Sequence, residues 1–530
     1  MSNFIVVTSE VPSGGKTTCA ASLALLLKDR GISVQYIKLA SYLDLDASKL
    51  DPGRHGEVFI TEDGAITDRD LGEYERFTGD AAGAKNYVTM GQIYVSVMAQ
   101  GRQGKYCGDP ARKDQVIEEI KRRIQELTSS SSVVIVEVGG AVGDKENELF
   151  LEAMRQMRVS GEKVLYLHLP LSSGATREAT TRPGVRILAD AILCRHNSMS
   201  SLLREEIARF YGVEDKAVFS IPAADTISSY EVPLRLREAK LDEYLIQELG
   251  LLAGRPGDGS YLERMGKIVE MVKRANSQLV VGFVCKHTGS EAYHSVKEAL
   301  RLAGWYYRVN VAVKEIDATR QDLDLAEELE GVAGIVVPDG FGYEGIENKV
   351  LAASYALQQD KPYLGTCLGL QVLVIAYARW LLGLEDANSE EFDSETQDPV
   401  ICQVDNNGKR RRLGDRVVKL VPGTAICNEV YGGELEIVRR HHHGYRVNPR
   451  YLECLQNAGL IISGYAEDKD GPVSVFVVET VEVKGKRCKA VQFHPEFGRG
   501  VDPLFLDFIR KCLTQADASL VSGLMGNGIR

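Results

Sequence analysis

Cys367 stands in the run Tyr363-Leu364-Gly365-Thr366-Cys367-Leu368-Gly369-Leu370-Gln371, between an apolar segment and a helix-forming one. A nucleophile flanked by glycines at a strand-to-helix junction has the pattern of a nucleophile elbow. The sharp turn exposes the thiol, and the helix N-terminus lowers its pKa and offers N–H groups to an oxyanion. A free cysteine is just as often an inert core residue, so the reading needs a partner. Val491-Gln492-Phe493-His494-Pro495-Glu496-Phe497 supplies one. Alternation on an extended segment puts His494 and Glu496 on one face. There the imidazole takes the thiol proton and the carboxylate orients the ring.

A second chemistry begins the chain. Phe4-Ile5-Val6-Val7-Thr8 reads as a buried strand, and Ser9 to Thr18 as a Gly-rich loop that opens an Ala/Leu-rich helix. Such a loop cradles phosphate oxygens with backbone N–H groups, here from Ser13, Gly14, Gly15 and Thr18. Lys16 adds charge, and Thr17 is placed to reach a metal ion. Glu10 stands where a P-loop has its first glycine, so the segment alone also fits a generic Rossmann-like turn. A second Lys, Lys38, ends the next strand. The acid-rich stretch from His55 to Phe77 fits a solvated loop, but Glu137 ends the apolar run Val133 to Val136, and strand-end acids face the ligand crevice of doubly wound sheets. Asp70 and Glu137 together offer hard oxygen ligands for Mg²⁺ beside the ATP phosphates.

Apolar strands alternating with helices predict an α/β protein of two doubly wound domains: an N-terminal P-loop-like, Rossmann-type sheet and a C-terminal flavodoxin-like sheet. The expected boundaries are residues 1–252, a linker at 253–277, a second domain at 278–515 and a loose tail at 516–530. A chain of 530 residues supports that many cores. A net charge of −11 argues against nucleic-acid and anionic-membrane partners. Ten cysteines without a CxxC pair suggest neither a zinc site nor a disulfide framework, which fits a reducing, cytoplasmic setting. The N-terminal run reads as a strand rather than a leader, and the most apolar helix is too short to span a bilayer.

G-x-C-x-G followed far downstream by F-H-P-E resembles the class I glutamine amidotransferases, which release ammonia from glutamine. The stretch His55 to Phe77, the run Glu137 to Asp144, Gly340 to Tyr343 and Ala387-Asn388-Ser389 extend the resemblance to the CTP synthase family, ATP-dependent amidoligases fused to a glutaminase. The resemblance implies that ATP phosphorylates a pyrimidine carbonyl and that ammonia, carried through an internal passage, displaces the phosphate. It implies Lys16 and Lys38 at the phosphates, Asp70 and Glu137 on Mg²⁺, and Arg195 and Asp225 near the adenine. It implies a Cys367–His494–Glu496 triad, oxyanion N–H groups at Gly340 and Leu368, Gln371 and Glu391 at the glutamine, and His55, Glu146 and Arg182 at the acceptor nucleotide. A homo-oligomer, dimer or tetramer, is implied too.

The departures from that family concern substrate and regulation. Thr180-Thr181-Arg182-Pro183 keeps one of two expected cations, and Pro222 replaces a further lysine. These changes leave open an acceptor other than UTP, or a non-catalytic assembly role. Asp339 replaces a glycine beside the oxyanion loop, Gly444 replaces an arginine that receives the glutamine carboxylate, and the GTP-responsive lid is reduced to Asn407 through Gly414.

Overall fold

The computed structural model describes residues 2–11, 14–106, 112–170, 189–196, 199–222, 228–252, 259–289, 291–404, 411–468 and 475–516. Ser13, Arg182 and Asp225, with the Thr180–Pro183 segment, most of the lid remnant and the tail beyond Ala516, lie outside them. The chain forms two compact units: Met1–Lys49 with Asp70–Glu270, and Leu50–Arg69 with Met271–Arg530.

The first unit is built on seven parallel strands: β1 (Asn3–Ser9), β2 (Val34–Ala40), β3 (Tyr87–Thr89), β4 (Val133–Val138), β5 (Lys163–Leu169), β6 (Ala191–Arg195) and β7 (Val218–Ile221). Their order is β3-β2-β4-β1-β5-β6-β7. Helices cover both faces, so β1 and β4 are buried almost end to end rather than alternately. Later strands are added on opposite sides of β1, which opens a crevice at the carboxyl ends of β1 and β4. Helix α1 (Lys16–Asp29) starts there. Gly15, its N-cap, has φ 79°, a left-handed conformation that glycine adopts without a Cβ penalty.

The second unit holds β8 (Ser277–Cys285), β9 (Val309–Asp317), β10 (Gly334–Val337), β11 (Tyr363–Thr366), β12 (Arg412–Leu420), β13 (Glu436–His443), β14 (Leu460–Asp468), β15 (Val475–Val483) and β16 (Cys488–Val491). They pair in the order β9-β8-β10-β11-β16-β15-β14-β12-β13. The first five are parallel, as expected of a doubly wound sheet. The other four extend it with antiparallel pairs. The flavodoxin-like pattern describes only the parallel part: β12 alternates buried and open positions, as an antiparallel strand with one wet face does. One apolar core lies under the helices Ile346–Gln359 and Leu368–Leu382, another under His294–Tyr306 and Pro503–Ala516.

Residues 50–69, which a linear reading gives to the first domain, pack within the second unit. A hairpin pairs Val58–Ile60 with Ile66–Asp68. Phe59 meets Phe497 edge-on at 4.9 Å, Arg440 donates to the Ile60 carbonyl at 3.1 Å, and the Ser295 N–H donates to Glu57 at 2.8 Å.

Candidate functional site

In the first unit, four charged side chains converge at the ends of β1, β2 and β4. Parallel register sets Lys38 opposite Glu137, and Val7 opposite the same Glu137. Lys38 Nζ donates to Glu137 Oε1 at 2.6 Å and to Asp70, the first residue of the helix Asp70–Thr78. Thr17 Oγ1 donates to Glu137 Oε1 at 2.9 Å, and Tyr74 OH to Glu137 Oε2 at 3.1 Å. Glu137 is fully buried, and these donors compensate its desolvation. Lys16 Nζ donates to Ser9 Oγ at 2.9 Å and to the Gly140 carbonyl at 2.6 Å. Burial holds the Lys16 ammonium down at about 8, and Lys38 pushes the same way against Glu137 and Asp70.

The backbone around this cluster is approached closely at two glycines. A Cβ at Gly15 would collide with the Arg195 guanidinium, and one at Gly139 would stand 2.8 Å from the Leu39 carbonyl. Arg195 therefore lies against the turn that opens α1. Thr18 is engaged with Glu73 at 2.6 Å. Glu146 is exposed on the first turn of the helix Lys145–Val159. His55 is exposed at the end of the short helix Pro52–His55, in the second unit.

The carboxylates of Asp70 and Glu137 with the Thr17 hydroxyl form an all-oxygen donor set. The Lys38 ammonium stands between the two acids as a cation in their midst. These residues fit a hard divalent ion. Tyr74 was missed at the sequence level. Its only signal was its position four residues after Asp70, on the same helix face.

In the second unit, Cys367 caps helix α2 (Leu368–Leu382) with φ 52° and ψ −101°. A non-glycine residue at positive φ is strained, and such strain gathers at functional turns. The flanking glycines permit it. A Cβ at Gly369 would run into the Val337 carbonyl, and one at Gly365 would stand 2.5 Å from the Gly369 backbone. Gly369→Ala is expected to destabilise the fold by about 1–3 kcal/mol or more, measurable as a lowered urea midpoint for the second unit.

His494 Nδ1 pairs with Glu496 Oε1 at 2.8 Å. The expected extended segment is a strand that ends at Val491, followed by a 3₁₀ turn, Pro495–Phe497. Proline at its first position folds the chain back and brings the carboxylate onto the ring. Burial disfavours the imidazolium, yet Glu496 and then Cys367 outweigh it and hold His494 well above its ordinary range. Burial raises the Cys367 thiol, and His494 opposes that rise. Thiol and imidazole are thus electrostatic partners, and His494 Nε2 is buried without a hydrogen-bond partner among the described residues.

Around the thiol, the His442 carbonyl and Gln492 Nε2 each lie 3.7 Å from Sγ. Gln371 is buried and reaches Gln492 at 3.5 Å. Gly340 lies against Leu368: a Cβ at 340 would be 3.1 Å from its Cδ2 and 3.2 Å from Lys349 Nζ. Glu391 accepts the Gly342 N–H at 3.0 Å. Asp339 brings its carboxylate within 4.8 Å of both His494 and Glu496. The run His441-His442-His443 does not converge on one atom. His441 bonds Glu479 at 2.9 Å, whereas His442 turns to Phe341, ring centroids 5.0 Å apart.

The family model described as CTP synthase N-terminus matches residues 3–251, and that of Glutamine amidotransferase class-I matches residues 290–510. A CTP synthase of Roseiflexus sp. is 41% identical over 540 residues, 96% of this chain and 94% of the relative. A CTP synthase of Caldanaerobacter subterraneus subsp. tengcongensis is 40% identical over 543 residues, 97% of this chain and 98% of the relative. Among solved structures, the glutaminase domain of Trypanosoma brucei CTPS with bound acivicin is 33% identical, with a TM-score of 0.41, covering 44% of this chain and 94% of that domain.

Proposed function

The chain belongs to the CTP synthase family, and from that premise we propose how its own residues divide the reaction. It is a glutamine-hydrolysing ligase that forms CTP from UTP with ATP as co-substrate. The observation that carries this reading is the match along nearly the whole of both chains. It also disfavours the alternatives of another acceptor or a purely structural role, and the assembled charged cluster at Lys16, Lys38, Asp70 and Glu137 agrees with it.

In the first unit, the turn from Ser13 to Thr18 receives the ATP phosphates, and Arg195 and Asp225 flank the base. Lys16 and Lys38 neutralise charge on the transferred phosphoryl group. Asp70 and Glu137, with Thr17, would hold Mg²⁺, whose charge polarises the phosphoryl oxygens when it is bound. The UTP carbonyl oxygen takes the γ-phosphoryl group and ADP leaves. Ammonia then adds at that carbon and phosphate departs. Glu146 and Arg182 are assigned to the acceptor nucleotide.

In the second unit, Cys367 Sγ attacks the glutamine amide carbon as His494 takes its proton. Gly340 and Leu368 N–H groups receive the oxyanion. The imidazolium returns the proton to the leaving ammonia, and water then cleaves the thioester to glutamate. Glu496 keeps the ring in the orientation that points Nε2 at sulfur. Glu391 faces the glutamine amino group, and Gln371 and Gln492 line the thiol. We place the amidoligase in residues 1–252 and the glutaminase in 278–515, in a cytoplasmic homo-oligomer.

The test is an acceptor panel. With ATP, Mg²⁺ and ammonium chloride, UTP is expected to give CTP and ADP one to one, while UMP and uridine give neither. An amino product from UMP or uridine, with none from UTP, would refute the assignment.

A further inference from the structure

Glutamine arrives at Cys367 as a zwitterion. A pocket that selects the free amino acid needs an anion for its ammonium and a cation for its carboxylate. Building on the glutaminase reading above, Glu391 meets the first need: it is fixed on the loop of Gly340 by the Gly342 N–H at 3.0 Å.

The strand that carries His442 holds two arginines, and both are engaged elsewhere: Arg439 pairs with Asp502 at 2.7 Å, and buried Arg440 donates to the Ile60 carbonyl at 3.1 Å. Position 444 is glycine, and burial holds the His442 imidazole down at about 3, so it is neutral. Lys349 is a buried amine, 1% exposed, set behind Gly340. Arg411 is placed differently. It is exposed, and its guanidinium carbon lies 5.8 Å from the centroid of the Phe341 ring. Phe341 is 40% exposed and meets His442 edge-on at 5.0 Å. The His442 carbonyl in turn lies 3.7 Å from Cys367 Sγ. The charge of Arg411 is felt at both Glu391 and His442. Its base is fixed, because the next residue, Arg412, opens β12 buried and ion-paired with Glu479. A guanidinium stacked on a ring keeps its fork free for a carboxylate.

We propose that Arg411, standing over Phe341, receives the α-carboxylate of glutamine and so sets selectivity for the free amino acid. It is a binding residue, apart from the bond-breaking groups.

The experiment compares L-glutamine with 4-aminobutanamide, which keeps the amide and the amine and lacks the carboxylate. Arg411→Met is expected to raise the KM for glutamine about 10- to 100-fold with little change in kcat, and to leave hydrolysis of 4-aminobutanamide at the wild-type rate. Arg411→Lys should recover part of the loss. Ammonia-driven CTP formation, run beside it, reports whether the variant is folded. An unchanged KM for glutamine, or an equal loss on both amides, would overturn the assignment. Wild-type glutamine hydrolysis without CTP formation from any nitrogen source would instead sink the CTP-forming reading and leave the role of Arg411 intact.

Discussion

Cys367→Ala is expected to lose glutamine-driven CTP formation by about 10⁴-fold or more while ammonia-driven formation persists. Among the described residues the groups hydrogen-bonded at the sulfur are a carbonyl and an amide, His442 O and Gln492 Nε2, and neither is a nucleophile that replaces it. The substitution removes one atom from a buried turn, so the backbone at φ 52° keeps its strain and the glycines around it keep their packing. Loss of both nitrogen sources in this variant would contradict the two-site scheme. The pH profile gives an independent check. Burial raises the thiol and Glu496 raises the imidazole. Each group therefore keeps its proton above its ordinary range, so glutamine-driven kcat/KM should climb with pH on the alkaline side of the usual histidine value. Ammonia-driven turnover need not share that limb. Glu496→Gln removes the anion that favours the imidazolium. The limb should shift to lower pH and the rate should fall, since the base is then weaker and less firmly oriented.

Local chemistry was legible where one turn or one strand end decides it. Gly365, Cys367 and Gly369 read as an elbow because the close approach that demands glycine is made by their immediate neighbours. Glu137 and Lys38 read as facing groups because parallel register carries strand-end side chains to one crevice. What sequence reading missed depends on packing between distant segments. Nothing local in residues 50–69 says that Phe59 will meet Phe497 edge-on. The antiparallel strands β12 to β15 lack the helix alternation that marks a doubly wound sheet, so they extend it without announcing themselves. In the sequence Asp339 is marked only as the replacement of a glycine beside the oxyanion loop. Its place near His494 and Glu496 adds a second carboxylate to the triad's surroundings, a consequence of tertiary approach that no spacing reveals. Arg411 falls within the lid remnant Asn407 through Gly414, and its place over the Phe341 ring is what distinguishes it.

Lys16→Met separates function from stability in opposite directions. It is expected to lower kcat/KM for ATP by about 10³-fold with either nitrogen source, because a fixed positive charge on the transferred phosphoryl group is lost. Glutamine hydrolysis at Cys367 does not use Lys16 and reports on integrity of the fold. The same substitution should raise resistance to unfolding at neutral pH. Lys16 is 2% exposed, and burial lowers its ammonium from 10.5 to about 8. Between those values the unfolded chain holds the proton and the folded one does not, so wild-type stability rises with pH across that window. Below it the folded protein bears the full cost of a buried charge, of the order of 3 kcal/mol at about 1.36 kcal/mol per pH unit. Methionine has a similar stem and no charge, so it avoids that cost, although it forgoes the hydrogen bonds to Ser9 and the Gly140 carbonyl. The gain in urea midpoint should therefore be largest near pH 7 and shrink toward pH 10. ATP binding carries the complementary sign. Phosphate charge favours the protonated amine, so binding takes up a proton near pH 8 and weakens as pH rises further. Calorimetry in buffers of different ionisation enthalpy reads that proton directly. An identical uptake in Lys16→Met would assign it elsewhere and remove Lys16 from the phosphate site.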